Sequence, residues 1–231
     1  MSRERKIVSE TYGLVPIWQR KRNPGLAKWA TSKGWKYRAK ASFLCKKWRG
    51  NPIDYQWARF FDLVSGRTCQ GREFRVFIYQ YTTTLRNMVV VHNTGIVTLE
   101  LPCAVPELRV TMRWGATCVP GGQTVEVGDE MFDKTYIVRC AKPAFARAVL
   151  QSNLTSWLVG DGAAMVPFRL IGNDLMFWRA GVDDPRMLMS DLEVMEQLVD
   201  LISEQTWEPW AHQTTQKGTL PPDWFLTDSI S

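Results

Sequence analysis

At 231 residues the chain can bury a sizeable core, and 45% hydrophobic content is ordinary for a soluble globular protein. No apolar run approaches the roughly 18 residues of a membrane-spanning helix, and the opening MSRERKIVSE lacks the apolar stretch of a secretion signal, so a cytoplasmic location is expected. The net charge of +6 conceals a division: residues 1–60 hold 15 Lys and Arg against 3 acidic residues, whereas residues 61–231 hold 14 against 20.

Residues 1–25 alternate charged and isolated apolar residues and close on QRKRNPG, which reads as a basic arm ended by a turn. From Leu26 the pattern LAKWATSKGW puts Leu26, Trp29 and Ala30 on one helical face, with Gly34 placed to cap the last turn and a strand starting at Trp35. Residues 38–57 are basic and aromatic, with Trp48, Tyr55 and Trp57 around a Gly50-Asn51-Pro52 turn. ARFFDLVS (58–65) and REFRVFIYQYTTT (72–84) predict an antiparallel hairpin across the glycine-bounded segment 66–71. The second strand is apolar on both faces, with Phe74, Val76 and Ile78 pointing one way and Phe77, Tyr79 and Tyr81 the other. That is the pattern of a central strand covered above and below.

Residues 88–101 are again strand-like, and Asn93-Thr94-Gly95 marks a bulge or a true reversal within them. Pro102 and Pro106 bracket a connector, 108–114 reads as an edge strand, and Val119-Pro120-Gly121-Gly122 as a loop. Residues 134–141 predict a strand running into Pro143, which opens a helix over 143–159 with the apolar stripe Phe145, Val149, Leu150, Leu154, Trp157 and Leu158, ended by Gly160. Residues 168–171 and 175–179 predict a hairpin about Gly172-Asn173-Asp174. The final helix takes Asp184 as N-cap and Pro185 as first residue, and Leu188, Leu192, Met195, Val199 and Ile202 recur at helical spacing. From Pro209 the chain reads as a tail whose one apolar island is PPDWFL at 221–226.

These elements predict an α+β fold: an antiparallel sheet covered by the two late helices as a two-layer sandwich, with a basic N-terminal arm (1–25), a single domain (26–208) and an irregular C-terminal tail (209–231). The sheet face away from those helices is then the natural binding surface.

GWKY near the start, GREFRVFIYQYTT, VTLELPCAVPELRV, FDKTYIVRCAKPAFARAVL and DLMFWRAGVDDPRML together resemble an uncharacterised domain family common in actinobacterial proteins. The similarity covers roughly residues 26–207, and its motifs are patterns of strand and helix packing. In that family the domain usually sits on the cytosolic side behind a pair of transmembrane helices. The resemblance implies the fold and brings no catalytic residues with it. This chain departs from the pattern in carrying a basic arm in place of the transmembrane pair, as an accessory or phage-borne soluble version would.

The basic, aromatic stretch 20–59 holds the main candidate binding residues: Arg20, Lys21, Arg22, Lys36, Arg38, Lys46, Lys47 and Trp48. Its cations suit phosphates, acidic protein surfaces or an anionic membrane, and its rings suit stacking or a lipid interface. The competing account is a solvated basic surface with its Trp residues in the core. Trp224 and Phe225 in the tail are the other candidates, as apolar anchors for docking. Of the remaining chemistry-bearing residues, His92 reads as a hydrogen-bonded strand residue, Cys45 beside Lys46 and Lys47 as the thiol most open to activation, and Asp183-Asp184 as a helix cap. Asp129, Glu130 and Asp133 flank a predicted strand without His or Gly-rich context. Five Cys without a CxxC pair and only two His imply no metal, and the lack of GxxxxGK[ST], GxGxxG, GxSxG and HExxH removes the usual anchors for a nucleotide cofactor or a hydrolase. The leading expectation is a non-enzymatic binding or regulatory module for a protein partner, attached electrostatically through the basic region. Sequence-nonspecific nucleic-acid binding by 20–59 is the alternative, and an enzyme with a site assembled from distant residues the third. No oligomeric state is indicated.

Overall fold

The computed structural model describes residues 7–9, 23–48, 50, 52–55, 57–85, 88–113, 123–160 and 167–211. Helix α1 (Pro24–Ser32) starts at Asn23, whose side chain accepts from the Leu26 N–H at 3.0 Å, and it ends at Gly34, whose φ of +74° favours a residue without Cβ. Strand β2 (Lys36–Lys40) follows, then a 3₁₀ turn (Ser42–Lys46) and the hairpin of β3 (Arg59–Arg67) and β4 (Glu73–Leu85). The register of β3 shifts between Phe61 and Val64, where Asp62 takes a φ of 52° and accepts a 2.7 Å hydrogen bond from the Tyr37 hydroxyl.

The sheet is built on β5 (Met88–Met112), a single strand of 25 residues. Strand β4 pairs with it from Met88 to Leu99, and β7 (Tyr136–Cys140) pairs with the same edge from Leu108 to Met112. Its other edge carries β8 (Phe168–Ala180), antiparallel, and the short β1 (Ile7–Ser9), a parallel partner, at Val89–Val91. Strand β6 (Thr124–Val125) closes the far side against β7. Three sequence expectations are corrected here. Asn93-Thr94-Gly95 neither bulges nor reverses: all three pair with β4 in unbroken register. Gly95 is required by a close approach, since a Cβ there would lie 2.6 Å from Leu188 Cδ1 and 2.9 Å from Val182 Cγ1. Likewise 108–110 is an interior segment paired on both edges, and Pro102 and Pro106, which have no N–H to donate, fall in the gap between the two neighbours of one edge. Nor do residues 168–179 form a hairpin. They are one strand that follows β5, and the register slips at Val105 opposite Gly172, so the turn-type triplet marks an irregularity.

The helices lie on one face. Asp129 caps α2 (Glu130–Thr135) by accepting from Met131 N, Phe132 N and the Thr155 hydroxyl, which holds its carboxyl below the usual range and accounts for the local cluster of acids. The expected helix over 143–159 is two, α3 (Pro143–Val149) and α4 (Ser152–Val159), because Leu150 leaves helical geometry; its stripe is nevertheless buried at Phe145, Val149, Leu150, Leu154 and Leu158. Asp184 caps a 3₁₀ turn (Pro185–Leu188) that leads into α5 (Met189–Leu201), which buries Leu192, Met195 and Val199. Arg179 of β8 grips the buried Asp191 of α5 through Nε (2.9 Å) and Nη2 (2.6 Å), and Arg72 beside the β3–β4 turn pairs with Glu196 and, at 2.8 Å, with Asp200. Helix α6 (Glu204–Ala211) runs past the expected domain end at 208, through Pro209, and packs Trp210 edge-on to Phe145 at 5.2 Å.

The opposite face of the sheet is not open. Segment 41–58 folds across it, and Leu44, Trp48 and Ile53 make a second core with Phe60, Leu63, Phe77, Tyr79, Ile96 and Met176. This explains why β4 is apolar on both sides, and among the described residues it leaves the margins of that face for contact with other molecules.

Candidate basic groove

At the β2 margin the cover ends. Lys36 pairs with Ser65, and Arg38 with Leu63, while Ser65 in turn pairs with Arg75 on β4. Alternation along each strand sends these side chains to the same face. Together with Lys33 at the end of α1 and Arg67 at the end of β3, they line a groove of about 630 Å³. Five basic residues face a single carboxylate, Glu73, and the apolar part of the lining is Trp35, Phe43, Leu63 and Phe74. Glu73 is engaged by Arg67 at 2.8 Å and by Arg75 at 3.5 Å. Lys33 and Lys36 are exposed, and the Arg38 guanidinium lies over the Phe43 ring at 5.6 Å.

The wall is shaped by Trp35. Its ring stands edge-on to Phe74 at 5.1 Å and to Trp29 at 5.4 Å, and it rests on Gly66, where any Cβ would overlap it. A glycine within β3 therefore has a packing reason.

Lys47 and Trp48 have a different use. The Trp48 indole is 2% exposed, lies parallel to Phe77 at 5.7 Å, and donates from Nε1 to Asp174 Oδ2 at 3.0 Å. Lys47 Nζ reaches the same carboxylate at 2.9 Å, and Arg75 approaches it at 3.6 Å. Burial pushes the Lys47 ammonium below its ordinary pKa, outweighing the attraction of Asp174. These two residues thus tie the covering segment to β8.

Of the other sequence candidates, Lys46 is exposed on the 3₁₀ turn. Lys36 and Arg38 are the ones brought together in the groove. Arg20, Lys21, Arg22, Trp224 and Phe225 lie outside the described residues. Cys45 is exposed, whereas His92 is half-buried, stacked on Tyr81 at 4.7 Å with its Nε2 2.8 Å from the Thr83 hydroxyl. Tyr81 stacks in turn on Tyr55 at 3.7 Å. Asp184 serves its cap and a bidentate contact with Arg186. Among the described residues no three His, Cys, Asp or Glu side chains come together to hold a metal ion, and no helix is long and apolar enough to cross a membrane.

Sequence reasoning missed Arg67, Arg75 and Glu73, which sit in the acidic-balanced part of the chain. The signal that finds them is period-two alternation carried through the hairpin register, which places Arg75 beside Ser65 and hence beside Lys36.

No protein-family model matches the sequence, and neither does any curated protein. Among solved structures the fold is similar to that of the mycobacterial trehalose monomycolate transport factor A, TtfA, with a TM-score of 0.56 and 14% identity over 76% of this chain and 91% of that one. At that identity the likeness is one of fold, shared with an actinobacterial protein.

Proposed function

We propose that this chain is a non-enzymatic binding module that engages a protein partner, and that the contact is an acidic segment with apolar side chains seated in the basic groove. The observation that carries the reading is the groove's composition: five cations around one carboxylate, over a lining of Trp, Phe and Leu. Cations at the rim steer and orient an acidic ligand, while fully desolvated apolar anchors contribute most of the affinity. A volume of about 630 Å³ suits a few side chains of a short segment. A nucleic-acid strand is favoured instead by a long basic track with open ring faces. Here the Trp48 face lies against Phe77, and Trp35 is engaged by two edge-on rings. The mycobacterial neighbour supports the view of an actinobacterial domain, and a cytoplasmic version of it is part of this proposal. That neighbour is by name a transport factor for trehalose monomycolate. The partner chemistry of this chain is argued from its own groove.

A displayed peptide library tests the reading. Selection uses the full-length chain with Trp224→Ala and Phe225→Ala, so that its own C-terminal aromatic residues do not compete. Enriched peptides should combine Asp or Glu with aromatic residues and should be lost on a further Lys36→Glu, Arg38→Glu background. Peptides without acidic bias, equal capture by the charge-reversed protein, or retention of nucleic acid or anionic vesicles in place of peptide would overturn it.

A further inference from the structure

We infer that the groove's first occupant is this chain's own segment 221–228, PPDWFLTD, bound in cis. The inference rests on the reading of the groove as a site for acidic, apolar-anchored peptide. Three observations converge on it. The chemistry is complementary: Asp223 and Asp228 flank Trp224, Phe225 and Leu226, and no Lys or Arg occurs after Lys217. The groove presents the reverse, with cations on its rim and rings beneath them. Pro221 and Pro222 restrict the free segment, which lowers the entropy lost when it docks.

The reach also suffices. Helix α6 is fixed beside β5, with the Cys103 thiol 3.6 Å from the Trp207 carbonyl. Leu99, four residues earlier on β5, pairs with Phe74 of the groove. Four residues of strand at about 3.3 Å each and two or three strand spacings of about 4.8 Å put the groove roughly 25–30 Å from that point. The chain from Ala211 to Asp223, extended at up to about 3.4 Å per residue, spans about 40 Å. A tether of this length presents the segment at an effective concentration on the order of millimolar, so an external peptide must compete with it.

The consequence is a self-limited binding site that a tighter acidic partner opens by displacement. The test uses a fluorescein-labelled peptide of residues 219–231 and three full-length proteins: wild type, a tail-disabled triple variant (D223A, W224A, F225A), and that variant with K36E and R38E. The tail-disabled chain should bind the peptide, wild type at least about tenfold more weakly, and the charge-reversed chain not at all. Circular-dichroism melts should place wild type a few degrees above the other two, because a cis contact strong enough to weaken external binding tenfold also stabilises the folded chain, while the tail-disabled and charge-reversed chains should melt together.

Equal binding by wild type and the tail-disabled chain would overturn the cis contact. So would a tail-disabled chain that melts lower than wild type while K36E and R38E have no effect on the peptide, since Trp224 would then pack elsewhere. If the tail-disabled chain ignores the 219–231 peptide but takes displayed acidic peptides, the cis occupant is wrong and the groove's function stands. If it takes neither, both fall.

Discussion

Asp174 is the residue whose removal should reveal how the covering segment 41–58 is held down. Its carboxylate is 6% exposed at the side chain and receives the Trp48 indole N–H at 3.0 Å and the Lys47 ammonium at 2.9 Å. In Asp174→Leu the buried indole donor loses its acceptor, which costs about 1–3 kcal/mol. Stranding Lys47 adds a further penalty; cutting a fully buried pair costs about 3–5 kcal/mol, and this ammonium, 22% exposed, can reach water or shed its proton, so about 1–2 kcal/mol remains. The expected total of about 2–5 kcal/mol is a large share of a typical domain stability of roughly 5–15 kcal/mol. Asp174→Asn keeps an acceptor for the indole and should cost less, and Asp174→Leu combined with Lys47→Met should recover the charge part while the indole cost persists. Urea unfolding followed by Trp fluorescence reads all three, with unchanged denaturant slope. An Asp174→Leu protein within about 1 kcal/mol of wild type, or a double variant no better than the single one, would refute the reasoning.

Met195 on α5 is fully buried, so Met195→Asp should cost about 3–5 kcal/mol in the same assay, and an unchanged melt would contradict the packing of α5 on the sheet. Gly66→Ala should displace Trp35 at a cost of about 1–3 kcal/mol and weaken peptide binding together with stability; binding untouched by it would remove Trp35 from the groove wall. Because burial lowers the Lys47 pKa, the folded state sheds that proton before the unfolded chain does. Stability relative to Lys47→Met should therefore rise as pH climbs toward the ordinary value of 10.5, and a difference flat from neutral pH to that value would contradict it.

Much of the fold is legible in local signals. Gly34, Asp184 and Pro185 mark helix ends that the structure keeps, and the two-faced pattern of β4 announces a strand covered on both sides. What local signals misplace is the course of β5 and β8. Asn93-Thr94-Gly95 and Gly172-Asn173-Asp174 have turn composition, yet Gly95 answers the approach of Leu188 and Val182, and Gly172 sits opposite a slip in a strand pair. Both causes are tertiary, involving residues about 70–90 positions away along the chain, and no window of local periodicity contains them. The same holds for the site. Lys36 and Arg38 stand out in a basic run, whereas Arg67 and Arg75 join them only through the β2–β3–β4 register, and Trp48 leaves the candidate surface because Phe77 and Asp174 hold it.

The most direct test of the account is an amide-resolved titration of the ¹⁵N-labelled full-length chain with the tightest acidic, aromatic peptide from the display selection. The account predicts shifts centred on Lys33, Trp35, Lys36, Arg38, Gly66, Arg67 and Arg75, the residues that surround the groove. Shifts centred instead on the exposed aromatics Tyr55 and Trp57, with the groove silent, would contradict it.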